Sequence, residues 1–215
     1  IDSHLSWKFH VDYVAMKISR NIGIISKLRH IVPLKTLYNI YNSLILPYLS
    51  YGLIIWGQAA KTHLEKLLML QKRAVRLIHF APFRSHAIPY FINSNIVPIT
   101  LLYFKLSATL MHDIFNDSAP PNISDLFTLT KNVHHYKTRS SSSDNYYINF
   151  SKTNQHKNSF SVIGAKIWNS ISQNTKELPK HLFKKEIQRN VFSILGQRDN
   201  YADLPLIIDE MNKMN

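Results

Sequence analysis

The stretch Thr62-His63-Leu64-Glu65-Lys66-Leu67-Leu68-Met69-Leu70-Gln71-Lys72-Arg73-Ala74-Val75-Arg76-Leu77-Ile78-His79-Phe80 decides the fold. With Leu64 set at zero and each residue advancing about 100°, Leu64, Leu67, Leu68, Ala74, Val75 and Ile78 fall on one side of a helix. Lys72 lies at about 80°, Arg76 at about 120° and Arg73 at about 180°, so these three cations share an arc pointing away from the apolar side. Gln71 falls inside the apolar arc, where burial would oblige it to find a hydrogen-bond partner. The spacing therefore predicts an amphipathic helix over 62–80, with one side for a core and one basic side.

The same period extends upstream. Trp7, Val11, Val14, Ile18, Ile22, Ile25 and Leu28 recur at steps of three and four, which lines one helical face. Ser6 is the expected N-cap of that helix. Pro33 marks the start of a second helix carrying Leu37, Tyr41, Leu44 and Ile45. Pro47 removes a backbone donor and is expected to kink or break it. The chain resumes over 48–56 and stops at Gly57.

Downstream, Ala81-Pro82-Phe83 breaks the pattern. Helices are expected over 85–93 and 99–115, with a turn at Ala119-Pro120-Pro121-Asn122. Residues 128–160 are polar and lack a helical period. The serine run 140–143 reads as a loop, and Tyr146-Tyr147-Ile148-Asn149-Phe150 as a short strand. Helices return over 162–172 and 178–195, and Trp7, Trp56 and Trp168 are expected in the core.

With 215 residues and 45% hydrophobic content, the chain can bury a real core. Its 26 Lys and Arg against 13 Asp and Glu give a formal charge of +13, which favours a polyanionic partner, nucleic acid before anionic membrane. Residues 36–60 carry no charge and are long enough to span a bilayer. Asn39, Asn42, Ser43, Pro47, Ser50 and Gly52 favour instead helices buried within a domain. Cysteine is absent, so a disulfide framework, a Cys-containing zinc site and a thiol nucleophile are excluded. Ile1-Asp2-Ser3-His4 carries neither a basic leader nor an apolar run, and without an initiator Met the chain is expected to be part of something longer.

Metal-dependent catalysis on phosphate requires clustered carboxylates, and the acidic residues here are scattered. The 11 histidines include no His-x-x-x-His on a helix, and the neighbours His134 and His135 do not point together. The five glycines, Gly23, Gly52, Gly57, Gly164 and Gly196, write no phosphate-cradling loop. What remains is basic and aromatic. Lys72, Arg73, Arg76, Lys66, Arg20 and Lys27 are candidate phosphate contacts. Tyr136, Lys137 and Arg139 form a second set, a ring to stack and cations to clamp. The competing reading of each group is a solvated face or a locally paired loop.

Several stretches resemble the reverse transcriptases of non-LTR retrotransposons. They are Ile1-Asp2-Ser3-His4-Leu5-Ser6-Trp7-Lys8-Phe9-His10, then Lys17-Ile18-Ser19-Arg20, and Tyr41-Asn42-Ser43-Leu44-Ile45-Leu46-Pro47-Tyr48-Leu49-Ser50-Tyr51-Gly52 with Trp56-Gly57 behind it. Leu70-Gln71-Lys72-Arg73-Ala74-Val75-Arg76 extends the likeness. Tyr136-Lys137-Thr138-Arg139, Gly164-Ala165-Lys166-Ile167-Trp168-Asn169 and Phe183-Lys184-Lys185 resemble the tail of the jockey and CR1-like branches. The resemblance implies the thumb and the extension after it, downstream of the catalytic carboxylates. Asp199-Asn200-Tyr201-Ala202-Asp203 resembles the Tyr-Ala-Asp-Asp turn only superficially, lacks its second Asp, and is expected to be a polar turn.

The expected fold is mostly α. A thumb-like helical domain over 1–83 is followed by a helical connector over 84–127, an irregular or small β segment over 128–160, terminal helices over 161–196 and a fraying tail over 197–215. The expected function is a non-catalytic grip on nucleic acid, holding the primer–template duplex, with no cofactor in this chain. Expected partners are an RNA–DNA hybrid or other nucleic acid and the upstream fingers and palm of the same polypeptide, with no membrane, in the nucleus or cytoplasm. The alternative is a protein-interaction or structural remnant of a decayed or host-adopted element.

Overall fold

The computed structural model describes residues 6–133, 144–197 and 204–214. Their architecture is mostly α. In chain order the helices are α1 (Lys8–Leu28), α2 (Leu34–Leu44), α3 (Leu46–Ser50), α4 (Leu53–Trp56), α5 (Lys61–Ile78), α6 (Ile88–Asn93) and α7 (Ile99–Phe115). They continue as α8 (Pro121–Ser124), α9 (Thr130–Val133), α10 (Asn154–Lys157), α11 (Phe160–Asn169), α12 (Gln173–Lys176), α13 (Lys180–Gln197) and α14 (Leu204–Met214). The chain divides into two compact units, residues 1–103 with 195–203, and residues 104–194 with 204–214 and the last residue.

In the first unit α1 packs along α5, with α2 and α3 against them. Most of the apolar positions read from the sequence are buried, while Leu28, Leu44 and Leu64 at the helix ends are half-buried. Val11, Ile18 and Ile25 of α1, Leu37 and Tyr41 of α2, and Leu67, Ala74, Val75 and Ile78 of α5 are closed to solvent. Gln71 is fully buried among them and fully satisfied. Its Nε2 donates to the Tyr41 hydroxyl at 2.8 Å and to the Val97 carbonyl at 2.9 Å, and its Oε1 accepts from the Ile99 N–H at 2.9 Å. The amide thus ties α5 to α2 and to the start of α7.

The uncharged stretch 36–60 is cut where its proline and glycine predict. Pro47 sits in the first turn of α3 after α2 has ended, and Gly52 turns the chain at φ 61 before α4. Gly57 is needed for another reason: a β-carbon there would lie 2.3 Å from the Tyr103 ring and 2.5 Å from the Leu53 carbonyl. Among the described residues no helix is long and apolar enough to cross a membrane.

The second unit is built around Trp168 of α11. The indole is fully buried, and its Nε1 donates to the Asp144 carbonyl at 3.0 Å. Its ring lies against Phe115 at 5.0 Å and Phe183 at 6.3 Å between centroids. Phe104, Met111, Ile167, Ile187 and Val191 are buried in the same unit. The Lys176 ammonium sits 5.4 Å above the indole and donates to Asn145 at 2.7 Å. Burial pushes its pKa down to about 8, partly offset by the Asp144 charge.

Four local expectations are corrected. Ser6 is not the N-cap of α1; that position is Trp7, half-buried in the left-handed region at φ 58, and the Ser6 hydroxyl accepts from the Lys8 N–H at 3.4 Å. Trp7 is thus not a core residue, unlike Trp56 and Trp168. No strand forms over 146–150 among the described residues. Among those residues there is a single antiparallel bridge, between Leu129 and Tyr146, since the partner segment enters α9 at Thr130, while the Asn169 side chain occupies the other edge of Tyr146. Its Oδ1 accepts from the Tyr146 N–H at 2.9 Å and its Nδ2 donates to the Tyr146 carbonyl at 2.8 Å. Finally, residues 204–214 form α14, with Leu204, Ile207 and Met211 buried on one face, where a fraying tail was expected.

Candidate nucleic-acid interface

α1 and α5 run the same way. Asp12 meets Lys66 near their starts, and the Arg29 guanidinium lies 5.0 Å over the Phe80 ring past their ends. Their outer faces form a groove of about 930 Å³. Its apolar lining is Ala15 and Met16 from α1, Met69 and Leu70 from α5, and Phe83 from the loop after α5. Met69 is 69% exposed, Phe83 77% and Met16 42%.

The rim is cationic. Among the described residues, Lys66, Lys72, Arg73, Arg76 and Arg84 line the groove against one acid, Asp12. Asp12 is already answered: Lys66 bonds it at 2.5 Å, and that bond holds its carboxyl below the usual range. Lys72 is half-buried, and burial lowers its pKa, with the Arg76 charge acting the same way and Glu65 opposing. Arg76 donates from Nε to the Ser85 carbonyl at 2.8 Å and so fastens the loop that carries Phe83 and Arg84. The Ser85 hydroxyl closes the same loop onto the Pro82 carbonyl at 2.7 Å. Arg73 and Arg84 are exposed and make no hydrogen bond or ion pair among the described residues.

The loop begins at a sharp helix end. Phe80 takes a left-handed conformation at φ 55, the Phe80 N–H reaches the Leu77 carbonyl at 3.3 Å, and the Ala81 N–H reaches the Arg76 carbonyl at 2.9 Å. This paired closure usually uses glycine. Here the Phe80 ring is held by Arg29 on one side and by His30, 5.4 Å away between centroids, on another.

The candidate contacts read from the sequence are thus distributed. Lys66, Lys72, Arg73 and Arg76 come together in the groove. Arg20 and Lys27 are exposed on α1 outside it, within about 40° of Met16 around the helix, and extend the same face. Tyr136, Lys137 and Arg139, the serine run 140–143, His134 and His135, and Asp199 to Asp203 lie outside the described residues. Among the described residues no three His, Asp or Glu side chains gather where a metal ion could be held.

Phe83, Met16 and Met69 were not among the residues singled out from the sequence. One signal was available: at about 140° from Leu64, Met69 is an apolar residue inside the basic arc.

Over 86 residues, 39% of this chain, the sequence is 34% identical to the RNA-directed DNA polymerase from mobile element jockey of Drosophila melanogaster. The matched part is 9% of that protein, so the chain spans only a small fraction of its relative's length. A part of this chain is therefore related to a retrotransposon polymerase. No protein-family model matches the chain. No solved structure matches it.

Proposed function

We propose that this chain is a nucleic-acid-holding part of the RNA-directed DNA polymerase of a non-LTR retrotransposon, corresponding to the thumb and the region after it. One observation carries the reading. Arg73 and Arg84 stand exposed beside a groove in which, among the described residues, the one carboxylate is that of Asp12, already paired with Lys66. Like charges crowded on one face repel, and a phosphate backbone removes that repulsion. The similarity to a polymerase supplies the context in which such a backbone would be an RNA–DNA hybrid.

In this reading the chain grips and positions the duplex without making or breaking bonds. Contacts to phosphate fix the register of a nucleic acid but carry no base information. The carboxylates that hold the catalytic metal ions belong to the fingers and palm elsewhere in the polypeptide. Two measurements on the purified chain test this. Hybrids of unrelated sequence should bind with similar affinity, and a primed RNA template with Mg²⁺ should receive no nucleotide. Strong preference for one sequence, or incorporation that survives mutation of Asp199 and Asp203, would overturn it.

A further inference from the structure

From the groove between α1 and α5 we infer that the face proposed to hold the hybrid also takes its unpaired end: a single-stranded segment, continuous with the duplex, whose bases lie on Met16, Met69 and Phe83 while its phosphates meet Arg73 and Arg84. The inference rests on the proposal that this basic face meets nucleic acid, and it names the form that fits.

A double helix buries its bases against one another and presents sugar and phosphate outward. Set against this face, it would satisfy the cations and leave the apolar lining in water. An unpaired strand offers both kinds of surface, a flat base on one side and a charged backbone on the other. Base stacking on aromatic side chains tolerates any sequence, since every base has a π-face. Phe83 is 77% exposed and Met69 69%, and Phe83 makes no ring contact among the described residues. The thioethers suit the same task, being polarisable and adaptable in shape.

The dimensions agree. A cleft of about 930 Å³ is at the upper end of the usual range for ligand clefts, roughly 300–1,000 Å³, and so has room for bases. The loop that carries Phe83 is fixed, not loose: Arg76 holds it at Ser85, and Phe80 turns it off the end of α5. The ring is therefore presented beside the groove before any ligand arrives, which lowers the ordering cost of binding. Charge selects the strand over a neutral apolar ligand, because among the described residues five cations line the groove against one paired acid.

The test uses the full chain, a labelled ten-nucleotide single strand, a blunt hybrid of the same sequence, and that hybrid with a four-nucleotide overhang. Anisotropy should show the single strand and the overhang hybrid binding more tightly than the blunt hybrid. Phe83→Ala should weaken the single strand about tenfold and the blunt hybrid less than twofold, and Phe83→Tyr should restore binding. Photocrosslinking from 5-iodouracil in the single strand should label Met16, Met69 or Phe83. Equal effects of Phe83→Ala on both ligands, no effect on either, or crosslinks only elsewhere would overturn the inference. In that event, a salt dependence that still falls on replacing Arg73 and Arg84 by Gln would leave the basic-face reading standing; if it does not fall, both are wrong. Binding of a labelled acidic amphipathic peptide without any binding of the single strand would assign the groove to a protein partner and equally overturn it.

Discussion

Replacing Gln71 by Met tests the packing logic of the first unit. The change keeps the length and roughly the volume of the side chain and removes only the amide. Three groups then lose their partner: the Tyr41 hydroxyl, the Val97 carbonyl and the Ile99 N–H. The site is closed to solvent, so water does not replace the amide. A buried polar group left unsatisfied costs about 1–3 kcal/mol, and three together should cost about 3–5 kcal/mol, since a carbonyl is the cheapest to leave. That is a large share of a typical domain's stability, about 5–15 kcal/mol. Urea unfolding followed by circular dichroism measures the loss, and amide exchange at Ile99 reports the break locally. Adding Tyr41→Phe removes one of the stranded groups. The double variant should therefore be less damaged than the two single losses summed, by about 1 kcal/mol or more. A cost below about 1 kcal/mol for Gln71→Met, or strict additivity with Tyr41→Phe, would refute the reasoning.

Trp168→Ala should cost about 3–5 kcal/mol in thermal or urea unfolding, because the indole is fully buried; unchanged melting with weaker nucleic-acid binding would show a stacking role instead. Gly57→Ala should cost about 1–3 kcal/mol, since its β-carbon would press on Tyr103 and on the Leu53 carbonyl; a neutral substitution would mean that the Tyr103 ring moves freely. The Lys176 pKa, lowered from 10.5 to about 8, makes the unfolded chain bind more protons between those values. Its contribution to stability should rise with pH over that window, and Lys176→Met should abolish the rise. Above about pH 10, Tyr146 works the other way, because burial raises its pKa to about 12 and the unfolded chain ionises first.

Helices with wide apolar arcs were legible because burial itself sets their period. The faces through Val11 to Ile25 and Leu67 to Ile78 follow from spacing alone, and so does the need to satisfy Gln71. Helix ends were harder to read. α5, α6 and α7 all close with a residue in the left-handed region, and these residues are Phe80, Asn95 and Asp117 in place of the glycine that usually marks the stop. The expected strand at 146–150 is reduced to one bridge because its partner segment turns into α9 directly after Leu129, and Asn169 satisfies the other edge of Tyr146. The motif Gly164-Ala165-Lys166-Ile167-Trp168-Asn169 then has a structural explanation. A β-carbon at Gly164 would crowd Met111, Trp168 fills the core, and Asn169 clamps Tyr146. α14 was readable and overlooked, since Leu204, Ile207 and Met211 keep the three- and four-residue step. The groove was legible only in part. Its cations follow from α5 alone, but Met16 and Phe83 join them only through the packing of α1 on α5 and the fastening of Arg76 to Ser85.

The basic arc also reads differently once the structure is in view. Arg76 is engaged in holding its loop, and Lys72 is half-buried, so Arg73 and Arg84 are the cations best placed to meet phosphate. The decisive measurement is the salt dependence of hybrid binding by the full chain and by the Arg73→Gln, Arg84→Gln double variant. Both residues are exposed and make no hydrogen bond or ion pair among the described residues, so folding should be intact. If each cation neutralises one phosphate, the log–log slope should fall by about 2 units, equally for unrelated sequences. An unchanged slope in a well-folded double variant would contradict the assignment of this face to nucleic acid.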